Sequence, residues 1–292
     1  MFTRRLEKMV FKSLQFKIGL ASLICVLLVF LLDCKTTSFE KWGVDFLKLP
    51  SSSHTLAIDT LHGSVSVKSE NRSDIKAEWK IWSWGPDAKR NLESSSLITR
   101  EEGGGQFRIR ILLSNPGFQD STLVLSVPED IGLVIEAPNI AVQGSFSRVE
   151  LKAGSIPGKV ETVRVDLTSK AELFRADCVF ENLVMCGDAD RAFIKLGSEL
   201  PDQCNLILQT PLGGSYYDFD VTGSVWLTIP QGATGKISAK APNGVVKILV
   251  PVEGQAQAND HYFFGLLNGQ DKKRSIQIKS SRNITILATP HF

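Results

Sequence analysis

The stretch VWLTIPQGATGKISAKAPNGVVKI, Val225 to Ile248, decides the fold. Val225, Leu227 and Ile229 fall on alternate positions and stop at Pro230-Gln231-Gly232. Ile237, Ala239 and Ala241 repeat the pattern and stop at Pro242-Asn243-Gly244. Val246, Ile248 and Val250 then resume it. A period of two marks a strand with one face buried. Pro and Asn-Gly steps end strands, and an Asn-Gly turn joins two of them as a hairpin or as the corner of a coil.

The same reading extends in both directions. Leu56, Ile58 and Thr60 alternate, followed by His62-Gly63 and then Val65 and Val67. Ile75, Ala77, Trp79 and Ile81 share one face, as do Phe107, Ile109 and Ile111, and Leu123, Leu125 and Val127. Between Gly132 and Leu208 the strands shorten. Apolar residues recur at Leu133/Ile135, Ile140/Val142, Val149/Leu151, Val163/Val165, Leu173, Val179, Leu183, Ile194/Leu196 and Leu206/Leu208. Small turns such as Gly144-Ser145 and Gly187-Asp188 separate them. Ile276/Ile278 and Ile284/Ile286 flank Ser280-Ser281-Arg282-Asn283 at the C-terminal end.

Short strands at even spacing predict a sandwich, a barrel or a β-solenoid, and the brevity of the turns favours the solenoid. Cys178, Phe180, Leu183 and Met185 are then expected as stacked core residues. Residues 86–96 (PDAKRNLESSS) are the best helix candidate after residue 34. The lack of long amphipathic helices excludes a sheet built of βαβ units, which needs crossover helices. The expected fold is all-β, a β-solenoid over residues 54–288, with a β-sandwich followed by a solenoid as the alternative.

Charge and hydropathy set the N-terminal end apart. Residues 1–34 carry Arg4, Arg5, Lys8, Lys12 and Lys17 against Glu7 and Asp33, a net of +3 in a chain of +2, so the rest is at −1. A near-neutral body has no footprint for a polyphosphate, so no nucleic acid partner is expected. Ile18 to Leu32 (IGLASLICVLLVFLL) has no charge, and its length lies between a secretory h-region and a membrane span. Three fates fit it: an uncleaved anchor, a cleaved signal peptide or a lipoprotein signal. All keep the basic flank cytoplasmic and export the remainder. Leu31-Leu32-Asp33-Cys34 resembles a bacterial lipobox, with Asp33 where a small residue is usual, and makes Cys34 the candidate lipidation site. The segments are then a signal or anchor over 1–34, a linker over 35–53, and the β-repeat body.

No catalytic constellation stands out, and no metal or cofactor is expected. His54, His62, His261 and His291 have no metal-ligand spacing. Cys178, Cys186 and Cys204 match no zinc motif and read as strand-borne hydrophobes, with a short Cys178–Cys186 disulfide as the alternative. Asp188/Asp190 and Asp218/Asp220 sit two apart, which on a strand puts each pair on one face. Such pairs serve polysaccharide-active β-helix enzymes as acid and base, but the preferred reading is solvated turn carboxylates. Trp79, Trp82 and Trp84 cluster on one strand and its exit. A regular strand turns Trp82 and Trp84 away from Trp79, making them the candidate ligand-facing aromatics. The bland alternative is that residues 86–96 cover them. Tyr216, Tyr217 and Phe219 read as core.

Four segments resemble the bacterial "putative adhesin" β-repeat family, a large domain of unknown function. They are LAIDTLHGSVSV (Leu56–Val67), LVLSVPEDIGLVIEAPNIAVQG (Leu123–Gly144), Val225–Ile248 and SIQIKSSRNITI (Ser275–Ile286). The chain departs from the family pattern at Asn139 and at Arg282-Asn283, where a turn glycine is usual. The resemblance implies a β-solenoid of the cell envelope or surface. With the apolar leader and the lack of a catalytic constellation, the expected role is a membrane-tethered, non-enzymatic module that binds an unknown protein or glycan. An anchored sensor or scaffold in envelope signalling is the alternative role.

Overall fold

The computed structural model describes residues 38–60, 62–153, 162–179, 182–197, 204–230, 232–250, 252–267 and 274–289. Ile18–Leu32, Cys34 and Phe180 lie outside them. The chain begins with β1 (Phe39–Lys48), β2 (Thr55–Thr60), β3 (Ser64–Glu70) and β4 (Asp74–Ser83). The short helix α1 (Ala88–Glu93) precedes β5 (Ser96–Glu102), β6 (Gln106–Leu112) and β7 (Gln119–Pro128). A regular series follows: β8 (Gly132–Glu136), β9 (Asn139–Gly144), β10 (Arg148–Ala153), β11 (Thr162–Leu167), β12 (Ala171–Val179) and β13 (Asn182–Cys186). It continues through β14 (Ala189–Gly197), β15 (Asn205–Gln209), β16 (Tyr216–Val221) and β17 (Ser224–Pro230). The last strands are β18 (Gly235–Lys240), β19 (Val246–Leu249), β20 (Val252–Asn259), β21 (Tyr262–Leu267), β22 (Ser275–Ser280) and β23 (Ile284–Thr289).

These strands form two sheets, one of eleven strands and one of twelve. Each consecutive pair from β8/β9 to β16/β17 puts its first strand in the twelve-stranded sheet and its second in the other. Neighbouring coils pair in parallel, so the Asn-Gly step after β18 is a coil corner, not a hairpin. Both sheets run unbroken from the first coil to the last, which makes this one solenoid and sets aside the sandwich-plus-solenoid alternative.

The register explains why alternation was legible. Leu125, Val67, Val142, Val165, Met185, Leu208, Leu227, Ile286 and Ile248 are successive register partners across the eleven-stranded sheet, and all but Ile248 are buried. In the facing sheet Phe174, Ala192 and Tyr217 are partners in one column, and Ala176, Ile194 and Phe219 in the next. Small residues sit beside large ones, so the columns fill without voids. Each fully buried Leu, Ile or Phe contributes about 1.5–3 kcal/mol relative to exposure. In β12 the sequence reading took Leu173 as the apolar marker. The core residue is Phe174, and Leu173 points outward between Arg148 and Arg191.

Chain order and spatial order part at both ends. β6/β7 stacks outside β2/β3, although it follows them in sequence. β18/β19 leaves a gap beside β16/β17 that β22/β23 later fills. Antiparallel strands finish the sheets: β1 and β4 beside β7, β5 beside β6, and β20 and β21 beside β18.

Corners rely on close approach and on asparagine. Gly63 has φ +103°, and a Cβ there would lie 1.9 Å from the Ser121 carbonyl oxygen. The Asn139 side chain accepts a hydrogen bond from the Thr162 N–H of the next coil (3.3 Å), and Asn283 accepts one from Val245 N–H (2.9 Å). Asn205 donates to Asn182 at 3.1 Å. The two places without the usual turn glycine thus use an asparagine side chain to satisfy a corner backbone group.

Residues 35–53, read as a linker, contain β1. Its sequence alternates, but Trp42, Val44 and Phe46 lie on the outer face and Lys41, Gly43 and Asp45 on the inner one. The alternation is that of a half-buried strand, but the apolar set faces outward and the polar set inward. Gly63→Ala is expected to destabilise the fold by about 3 kcal/mol, from left-handed backbone strain plus the carbonyl clash. Urea unfolding checks this, and a loss under about 0.5 kcal/mol would contradict the tight corner.

Candidate binding surface

The outer face of the eleven-stranded sheet carries its own rows. One row runs Val44, Glu78, Val124, Ser66, Ala141, Arg164, Val184, Ile207, Trp226, Thr285 and Lys247, one residue per strand. Ile207 and Trp226 are about two-fifths exposed, at 42% and 39%. The small side chains of Ser66 and Ala141 leave a shallow groove of about 290 Å³, edged by Val124, Lys68, Gln143, Arg164 and Asp166. Parallel strands stand roughly 4.8 Å apart, so the row presents a flat, evenly graduated surface along the solenoid axis.

The twelve-stranded sheet presents charge instead. Its outer row runs Arg110, Asp59, Glu136, Lys152, Asp177, Lys195, Asp220, Lys279 and Lys240. Asp59 is nearly buried beneath Arg110, whose Nε donates to it at 2.9 Å. Lys279 lies 3.6 Å from Asp220. Opposite charges on adjacent strands neutralise one another and hold the register.

Asp218 and Asp220 share this outer face, as their spacing predicts, in an open groove with Arg175, Phe193 and Lys195. The other pair separates. Asp188 is buried ahead of β14, where it accepts hydrogen bonds from Tyr217 hydroxyl (2.7 Å), Gly213 N–H (2.8 Å) and Thr210 hydroxyl (3.3 Å). Asp190 stays half exposed beside Lys170. The Asp188 carboxylate is therefore a buried pin for the loop before β16, not a solvated turn acid. Its role was not readable from spacing, because its partners are Tyr217 and a backbone amide 25 residues away.

Trp79 packs against the core over Gly43 and donates its indole N–H to Asp45 at 2.7 Å. Trp82 lies on the outer face of β4, half-buried, with the Lys80 ammonium 5.1 Å from the ring centre. Trp84 follows β4, also half-buried, and its backbone N–H donates to Phe118. The most exposed aromatics are ones the sequence reading missed: Trp42 at 68% and Phe46 at 66%, with Val44 at 46% between them. A period-two count across residues 39–48 would have found them. Cys186 and Cys204 are free thiols, so Cys186 forms no disulfide with Cys178. Among the described residues no group of His, Cys, Asp and Glu is placed to hold a metal, and no helix is long and apolar enough to cross a membrane.

Burial first, and then the Asp188 carboxylate, push the Tyr217 phenol well above its ordinary value of 10.0. Burial also raises the Cys204 thiol above 9.0. Both groups keep their protons in the folded chain after the unfolded chain loses its own. Stability is therefore intact below about pH 9 and falls as pH climbs beyond it. Thermal unfolding between about pH 8 and 11 is expected to show this decline, with a smaller drop above about pH 10 in Tyr217→Phe. An equal drop in that variant would remove Tyr217 as a source.

No protein-family model matches the sequence, and no curated protein sequence matches it. Solved structures do match. A "putative cell adhesion protein" from Clostridium sporogenes is 10% identical, with a TM-score of 0.33, covering 86% of this chain and 100% of its own. A "putative adhesin" from Bacteroides fragilis is 10% identical, with a TM-score of 0.33, covering 85% and 97%. A "putative lipid binding protein" from Parabacteroides distasonis is 10% identical, with a TM-score of 0.32, covering 84% and 96%.

Proposed function

We propose that the protein is a non-enzymatic binding module, held on the outer side of a membrane by its N-terminal segment, whose solenoid face takes an extended protein or glycan chain. The observation that carries this reading is the outward row from Val124 to Trp226 on the eleven-stranded sheet. Its residues change from strand to strand while their spacing does not, which suits a ligand lying along the axis. The exposed aliphatic and indole groups supply contact area, and Arg164 and Asp166 supply directional bonds. The acidic pairs support the non-catalytic part of the reading. Asp188 is committed to three structural hydrogen bonds, and Asp220 to a lysine. The tether is supported by the basic leader and the apolar Ile18–Leu32 run.

Two measurements test the two parts. Binding to immobilised cell-wall glycan fragments and matrix proteins is expected for the purified protein, with Trp226→Ala weakening it about tenfold or more. Binding unchanged by Trp226→Ala would move the site off this face. Intact mass of protein from its membrane fraction is expected to show either an acylated chain starting at Cys34 or a chain retaining Ile18–Leu32. Recovery of an unmodified, shortened chain in the soluble fraction would remove the tether.

A further inference from the structure

β1 is the outermost strand of the eleven-stranded sheet at the N-terminal end. Its inner side is fully engaged: Lys41 donates to the Ser95 carbonyl at 2.8 Å, Asp45 receives the Trp79 indole, and Gly43 lies under the Trp79 ring. Its outer side is a stripe of Trp42, Val44 and Phe46, among the most exposed apolar side chains described. Directly beside the stripe the next strand inward presents Lys80, Glu78 and Lys76, and its half-buried outward Trp82 stands beside Glu40. There Lys80 pairs with Glu40 at 2.6 Å, and Lys76 pairs with Glu78. The stripe is thus one strand wide and bordered by neutralised ion pairs.

We propose that this stripe seats on the surface of the bilayer to which the N-terminal segment is tethered, so that the solenoid is held at a set orientation and not swung freely on a leash. The inference rests on the tether reading above. Three arguments select a bilayer. Leu32, the last residue of the apolar run, is seven residues from Phe39, a reach of at most about 25 Å, and Cys34 is closer still. β1 therefore starts within about 25 Å of the membrane under either fate that keeps a tether. Indole and phenyl groups beside lysines whose stems can lie along the interface match the composition of the membrane–water boundary. A stripe one strand wide is also too narrow for a second copy, since a stable dimer covers about 800 Å² per partner. Because Lys76 and Lys80 are already paired, the contact is apolar and does not depend on anionic lipid.

The test uses the full chain reconstituted into phosphatidylcholine vesicles, with and without lipids brominated along their acyl chains, which quench indoles that enter the interface. Brominated lipid is expected to quench part of the emission of the chain's five tryptophans. That quenched part is expected to vanish in Trp42→Phe and to shrink in Val44→Ser/Phe46→Ser, while all three proteins still sediment with the vesicles. A chain that sediments but shows the same quenching in Trp42→Phe, or none at all, overturns the seating and leaves the tether standing. A chain that does not sediment with vesicles overturns the tether reading itself. Cross-linked dimers through β1 in detergent, lost in Val44→Ser/Phe46→Ser, would assign the stripe to a second copy and overturn the seating.

Discussion

Everything in this molecule depends on the zero-shift register between parallel coils. Once Val67 pairs with Val142, and Val142 with Val165, the inward side chain of each coil can meet only its counterpart in the next. A strand slipped by one residue would turn its whole apolar set to solvent. The fold therefore tolerates variation in size along a column, as in Phe174, Ala192 and Tyr217, but not a change of face. The same register sorts the outside. Because partners outside also stand one above another, the charged row alternates in sign from Glu136 to Lys279, and the row from Val124 to Trp226 becomes a graded strip.

The ends obey a different constraint. A parallel sheet that simply stopped would offer free edges to other chains. Here reversed strands finish both sheets at the N-terminal end and the twelve-stranded sheet at the other, while the short β19 ends the eleven-stranded sheet; the N-terminal cap is built from a helix, an indole and an inverted strand. β1 closes the inside with Lys41, Asp45, Gly43 and Leu47, which leaves Trp42, Val44 and Phe46 on the outer face. Their exposure follows from the capping geometry, and proximity to the tether gives that exposure a use.

Sequence periodicity revealed the coils because each is a local unit whose alternation needs no knowledge of its neighbours. It identified the strands and turns of Leu56–Val67, Leu123–Gly144, Val225–Ile248 and Ser275–Ile286, two strands in the first and last and three in the others. It failed where polarity is set by something distant. β1 reads as a linker because the groups that satisfy its inner face, Trp79 and Ser95, lie 34 and 54 residues away. Leu173 and Phe174 are equally apolar, and only the register tells which is inside. Asp188 looks like any turn acid until Tyr217 is brought over it. Corner asparagines stood out only as missing glycines, since the amides they satisfy belong to other coils.

The displaced coil near the C-terminal end has a consequence for how the chain is made. β22 and β23 follow all the other described strands in sequence, yet they occupy an interior slot between two earlier coils. Until residues 275–289 arrive, each sheet holds an open seam with a bare strand edge on either side. A chain that emerges N-terminus first cannot finish its core coil by coil; it must wait with the seam unfilled and then be closed by its final segment. The closing strands act as a keystone, and a chain cut short just before them loses an interior strand of each sheet and the support of the strands beyond it.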